Sequence, residues 1–245
     1  DPIRFEEATT GRTSDDPKNR QTHVVASAAG VAAVWARENT REAIWDAMAR
    51  KEVYATTGTR IRVRVFGGFS FTKEDMHRSD FAKNGYDNGV PMGGDLKAAP
   101  EGKAPALLIQ APRDPDGANL DRIQIIKGWL DKDGETHEKI YDVAVSDGRK
   151  IGADGRCKTE VGKTVNVKEA TYANAIGDAA MGGYWQDPDF DPLERSFYYV
   201  RVIEIPTPRW TTYDAKIFGV KLPEDLPSSI QERAYTSPIW YTPAP

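Results

Sequence analysis

The chain has a single cysteine among its 245 residues, Cys157, which excludes an internal disulfide and leaves no second thiolate to share a metal ion. The redox compartment is therefore open, and localisation stays undecided between cytoplasmic and exported or periplasmic. No signal peptide opens the chain, and Asp1 is not a natural start, so the sequence reads as cut from something longer. Long apolar runs are missing as well, and nothing approaches the roughly 20 residues of a membrane span. Positive charge is not in excess: 33 Lys and Arg against 37 Asp and Glu leave a net charge of -4 and a pI near 5.5. Broad attraction to nucleic acid or anionic lipid is thus not expected. Histidine is scarce. His23, His77 and His137 lie far apart and are read as standing outside any HxH, HExxH or DxH pattern, whereas a catalytic zinc takes about three protein ligands. There is no GxSxG, and Cys157 in DGRCKTE has no neighbouring histidine to activate it, so it reads as a structural or exposed thiol. The glycine motifs FGG and MGGD lack the strand-glycine-helix context of a phosphate loop and read as turns or bulges.

What is present describes an ordered protein with a hydrated surface: 39% hydrophobic residues, 29% charged, six Trp and a mean hydropathy of -0.59. The stretch from Glu38 to Val65 organises the rest. Asn39 followed by Glu42 has the pattern of a capping box, and Ala43, Ile44, Ala47 and Met48 recur at helical spacing, which predicts a helix over 39–51. Arg50 and Lys51 then fall in its last turn. A strand is expected over 53–57, a turn at Gly58, and a second strand in which Ile61, Val63 and Val65 alternate with Arg60, Arg62 and Arg64.

Before this stretch, residues 1–23 read as a polar loop, and Val24 to Trp35 as a small-residue segment packed closely against a larger element. After it, Gly67 to Gly102 lacks a clear period and reads as an ordered insertion or functional loop. Strands are expected at Ala106 to Ala111, Leu120 to Leu130 and Lys139 to Ser146, with DPDG and DKDG as turns, and also at Thr164 to Val167. Arg195 to Ile205 has aromatic and β-branched residues on both faces and belongs mid-sheet, ended by Pro206 and Pro208. One short strand is expected in the tail. Many short strands without helices between them point to a mainly β, sandwich-like domain over 61–245.

Few constellations suggest chemistry. Asp114, Asp116 and Asp121, and likewise Asp131, Asp133 and Glu135, suit turns. Asp187, Asp189 and Asp191 alternate without an obvious turn role and are the calcium candidate, although none of the three sets has the spacing of an EF-hand. In EIPTPRW, Arg209 could grip a carboxylate or phosphate in a fork, but pairing with Glu204 to pin the loop is the favoured expectation. Trp129, Trp185, Trp210 and Trp240 are candidate aromatics for recognising a glycan, a peptide or a protein surface.

The blocks GVAAVWARENTREAIWDAMARKEVYATTGTRI, PMGGDL, LDRIQIIKGWLDKDGETHEKIYDVA, FYYVRVIEIPTPRWTTYDA and QERAYTSPIWYTP resemble an uncharacterised bacterial family, a domain of unknown function. That family looks like an outlying branch of the polymerase and histidinol phosphatase (PHP) superfamily. The resemblance runs from about Gly30 to Pro243 and is to the C-terminal part of longer members, which begin with a metal-binding barrel marked by an HxH motif early and a DxH motif late. It implies that residues 1–60 are the end of that barrel, that divalent metals belong to a missing N-terminal portion, and that this portion is the chain's partner, with a second copy as another. No catalytic or metal residue carries over to this chain. The Thr56-Thr57-Gly58 turn and Arg60 would border the barrel's substrate mouth. The chain then reads as an accessory or structural region of a metal-dependent phosphohydrolase, not catalytic alone, with a ligand-binding β-sandwich module as the alternative.

Overall fold

A computed structural model describes residues 30–222, 224 and 226–244. The loop expected over 1–23, the start of the 24–35 segment and His23 lie outside these residues. Strand β1 (Val31–Val34) runs antiparallel to β2 (Val53–Thr56), with helix α1 (Arg41–Ala49) between them. The cap of α1 is Thr40 rather than Asn39: the Thr40 hydroxyl accepts from the Ala43 amide at 3.3 Å, so the helix starts two residues later than expected. Of the apolar face expected on it, Ala47 is buried, whereas Met48 and Trp45 remain 54% and 70% exposed.

Two sheets follow. The smaller holds β3 (Arg64–Gly68), β4 (Val90–Pro91), β6 (Ala106–Pro112) and β9 (Ala180–Gln186), in the order β4-β3-β6-β9. The larger is built on β10 (Arg195–Glu204), whose residues alternate between buried and half-exposed. Along one edge β10 pairs with β7 (Leu120–Leu130), which forms a hairpin with β8 (Thr136–Val145). Its other edge is divided between β13 (Arg233–Thr236) and β14 (Ile239–Thr242), which lead on to β2 and to β5 (Asp95–Lys97). A paired edge on both sides is what the two-faced pattern of Arg195 to Ile205 requires. The small-residue strand β1 and the expected barrel-end strand β2 thus hydrogen-bond into the sheet whose other members come from residues 95–242.

Side chains from the inner faces of both sheets meet in one core: Val63, Val65, Leu107 and Ile109 from one side, Ile123, Ile125, Val200 and Ile239 from the other. The β7–β8 turn forms where DKDG predicts it. The Asp131 carboxylate accepts the amides of Asp133 and Glu135, both at 2.9 Å, and Gly134 supplies a φ of 82°.

The expectation of strands without helices needs correction. Within 67–102 a 3₁₀ turn (Lys73–His77) leads to helix α2 (Phe81–Asn88), and Trp210–Phe218 forms helix α3 after the two-residue strand β11 (Thr207–Pro208). Gly85 lets α2 lie against Phe66; a Cβ there would come within 2.3 Å of the ring. Thr164 to Val167 is not a strand and contributes one bridge, Asn166 to Thr171. The tail from Gln231 carries two strands rather than one, β13 and β14, and the two-residue β12 (Ser229–Ile230) lies just before it. Cys157 is buried, its amide donating to Asp142 at 2.7 Å. Among the described residues no helix is long and apolar enough to cross a membrane.

Candidate functional site

The densest set of polar groups with unfinished hydrogen bonding lies where β2 ends in Thr56-Thr57-Gly58-Thr59-Arg60. The turn is held from within by the Thr56 hydroxyl, which donates to the Thr59 carbonyl and accepts from the Gly58 amide at 3.3 Å; Gly58 adopts a φ of 136°. From outside, Thr57 Oγ1 donates to the Glu232 carboxylate and accepts the Arg233 amide at 2.9 Å, fastening the turn to β13. Arg60 is fastened to the DPDG turn: Asp114 accepts its backbone amide at 2.8 Å, and Asp116 accepts from its guanidinium at 2.7 Å. Burial opposes ionisation of Asp114, but the amides of Arg60 and Asp116 and the Arg60 guanidinium outweigh it and hold the carboxyl below the ordinary range.

Glu204 reaches the same place from β10. It continues the buried face of Tyr198, Val200 and Val202, and a register shift at Ile203/Glu204 turns the strand end toward the turn. The side chain is 1% exposed, and Oε1 is buried without a hydrogen-bond partner, as is Thr59 Oγ1. Burial, with the carboxylates of Glu232 and Asp114 adding to it against the easing effect of Thr59, pushes its pKa up to about 8. A carboxyl in this state is a proton donor near neutral pH.

Arg209 does not complete the expected pair. Among the described residues no ion pair joins it to Glu204; it donates to Thr211 Oγ1 at 3.1 Å and its guanidinium lies 5.4 Å from the Trp210 ring centroid. Burial lowers its pKa, with Glu232 opposing. Of the four residues singled out for binding or interdomain contact, the structure brings Arg60 and Glu204 together through Thr59 and Asp114. Arg209 is linked to them through Glu232, and Trp210 stands beside Arg209 at the start of α3. A cavity of about 410 Å³ opens beside the turn, lined by Thr56, Thr59, Arg60, Arg62 and Asp116 over an apolar floor that includes Tyr54 and Ile61.

A family model described as a protein of unknown function (DUF3604) matches residues 2–243. The chain belongs to this family. No curated protein and no solved structure matches it.

Elsewhere in this DUF3604 chain the other candidates are occupied. Asp187 accepts from Lys127 and from the Tyr198 hydroxyl, each at 2.7 Å. Asp189 accepts from Lys139 at 2.5 Å and from Tyr141 at 2.6 Å, and Asp191 accepts the Leu193 amide at 2.8 Å. The three carboxylates therefore serve different partners, and among the described residues no group of three His, Cys, Asp or Glu could hold a metal ion. Asp75-Met76-His77 does spell DxH, which the sequence reading overlooks. Asp75 is engaged by the Thr72 amide at 2.9 Å and by Asn84 at 3.1 Å.

The sequence gives no sign of Asp142, and Asp121, expected in a turn, lies instead in β7. Asp142 takes Gln124, Arg122, Arg156 and the Cys157 amide, and Asp121 takes Arg122, Arg149 and Gln231. Together they anchor the long connection after β8. Trp185 is packed between Tyr141 and Tyr198, while Trp129 and Trp240 line one cavity of about 580 Å³ with Phe197 and His137.

Proposed function

We propose that this DUF3604 chain is the β-sandwich-like C-terminal region of a PHP-like metallohydrolase and supports a metal-dependent phosphohydrolase barrel without being catalytic alone. The observation that carries this reading is the end at Thr57–Arg60. At a turn beside a cavity, one buried carboxyl oxygen of Glu204 (Oε1) and the Thr59 hydroxyl have no hydrogen-bond partner, and separately α1 leaves Trp45 and Met48 exposed. Buried polar groups left unsatisfied cost on the order of 1–3 kcal/mol each, and an exposed Trp next to an exposed Met marks a surface that another body covers. The barrel preceding Asp1 in a longer parent fits that role, and a second copy of the chain is the other candidate. On this reading divalent metals bind upstream residues, and Arg60 with the Thr56-Thr57-Gly58 turn borders the substrate mouth.

The test begins with the coding sequence upstream of Asp1, where an HxH followed later by a DxH is expected. Metal analysis of the purified parent should then find bound divalent metal, while this chain alone binds none stoichiometrically. Stoichiometric metal in the isolated chain would overturn the assignment.

A second reading, a module that binds a glycan or peptide, is favoured by one observation: Trp129, Phe197 and Trp240 converge on the 580 Å³ cavity. Saturable glycan or peptide binding that is lost in Trp240→Ala would establish it, and a flat titration would remove it.

A further inference from the structure

The alternating arginines of Arg60-Ile61-Arg62-Val63-Arg64 are only partly used by the site described above. Arg60 is neutralised by Asp114 and Asp116. Arg62 lies between the cavity beside the turn and a second one of about 310 Å³, which it lines with Arg64, Trp35, Ser79, Phe81 and Gln110. Among the described residues the Arg62 guanidinium has neither an ion pair nor a hydrogen bond, and the side chain is exposed.

Arg64 is held in place from several sides. Its guanidinium lies 4.2 Å from the Trp35 ring centroid, donates to the Tyr86 hydroxyl at 3.0 Å and stands 4.0 Å from Glu52, whose carboxylate also serves Arg50 and Tyr86. That leaves its Nε buried with no acceptor. A guanidinium fixed by stacking is pre-organised for an anion brought into the cavity that it lines.

The opposite wall adds charge of the same sign. Helix α2 starts at Phe81, and both Phe81 and Ala82 face the cavity. The first amides of a helix have no intrahelical acceptor and form the positive end of its dipole. Asp80 does not cap them, because its carboxylate is taken by Arg78 in a two-point contact at 2.8 and 2.9 Å. Glu52 is shared between Arg64, Arg50 and Tyr86, and Asp80 is taken by Arg78.

We propose that this cavity binds the oxyanion head of a small phosphorylated ligand, gripped by Arg62 and faced by the Arg64 guanidinium and the first turn of α2. Two guanidinium groups and a helix end offer more donors than a carboxylate has acceptors to receive them, whereas a phosphate group has three or four oxygens. Trp35, Phe81 and Pro112 provide apolar walls for the rest of such a ligand. This inference concerns the chain itself and stands independently of the parent-hydrolase reading.

Titration calorimetry of the chain with inorganic phosphate tests it. Saturable binding is expected, weakened about tenfold or more in Arg62→Gln and also weakened in Arg64→Lys, since hydrogen bonds to charged groups are worth about that much. Lys103→Gln makes the same charge change beyond the far end of β6 and should bind like the parent. Thermal melts confirm folding of each variant, and exposed Arg62 in particular should be dispensable for it. Absence of saturable binding overturns the proposal, as does undiminished affinity in folded Arg62→Gln or an equal loss in Lys103→Gln.

Discussion

At the scale of single residues, Glu204 decides most about the proposed junction. Its position follows from strand parity: Tyr198, Val200 and Val202 face the core, so the carboxyl two residues further on must face it as well. With its pKa raised from 4.5 to about 8 by burial, the folded chain retains a proton that the unfolded chain releases above pH 4.5. Stability of the isolated chain should therefore be full below pH 4.5 and fall by ~1.4 kcal/mol per pH unit as pH rises toward 8. Glu204→Gln removes that slope. Its unfolding midpoint should exceed that of the parent by roughly 5 °C or more at pH 8 and differ little at pH 5, as calorimetric melts at the two pH values would report. Equal slopes in both proteins would mean that Glu204 is ionised when folded.

The same residue shows what one sequence can and cannot reveal. Glu204 is visible as a charge at the end of a buried strand, but among the described residues its neighbour in sequence, Arg209, forms no ion pair with it. The groups that act on it, Thr59, Asp114 and Glu232, come from two distant turns and another strand. Nothing in a single chain marks contacts across such separations. Arg60 with Asp114, 54 residues apart, is unreadable for the same reason.

Among the elements, the legible ones have local signals that agree with tertiary packing. The β7–β8 hairpin is written in alternating residues and an Asp-Gly turn, and β10 in its two-faced apolar run. Helix α2 is hidden because FAKNGYDN is rich in turn formers and its stability is tertiary. Asn84 is buried and donates to Asp75, and Gly85 admits the Phe66 ring. Gly85→Ala should accordingly cost roughly 1–3 kcal/mol by urea denaturation, despite the better helix propensity of alanine. A gain in stability would show that α2 does not sit on Phe66.

Helix α3 carries a stop signal in the sequence. Lys216 lies in its last turn and Gly219 closes it with a φ of 67°, the stop pattern of a helix. Two adjacent threonines disguise its start; both are buried, and Thr212 donates to the Ser228 carbonyl at 2.7 Å. Helix α1 was legible in kind, but its face was not: the spacing marked Ile44, Ala47 and Met48, and Ala47 alone of these is fully covered. Replacing Trp45 and Met48 together by serine should change the stability of this chain by no more than about 0.5 kcal/mol. In the parent protein the same pair should lower the melting midpoint, because there the face is expected to be covered. No effect in either context would leave the face without a partner and argue against the junction.

For the whole molecule, the mainly β character followed from composition and turn spacing, whereas the union of 31–56 with strands from 95–242 in one sheet did not. Strand pairing across such distances depends on which edges remain open after everything else has folded, and that is a property of the assembled sheets. Membership in the DUF3604 family fixes what the chain is related to and leaves its role to experiment. The most direct test of the central claim is phosphodiester hydrolysis with added divalent metal, measured side by side on the longer parent and on residues 1–245. The account predicts metal-dependent turnover by the parent and none by the isolated chain; turnover by residues 1–245 alone would contradict it.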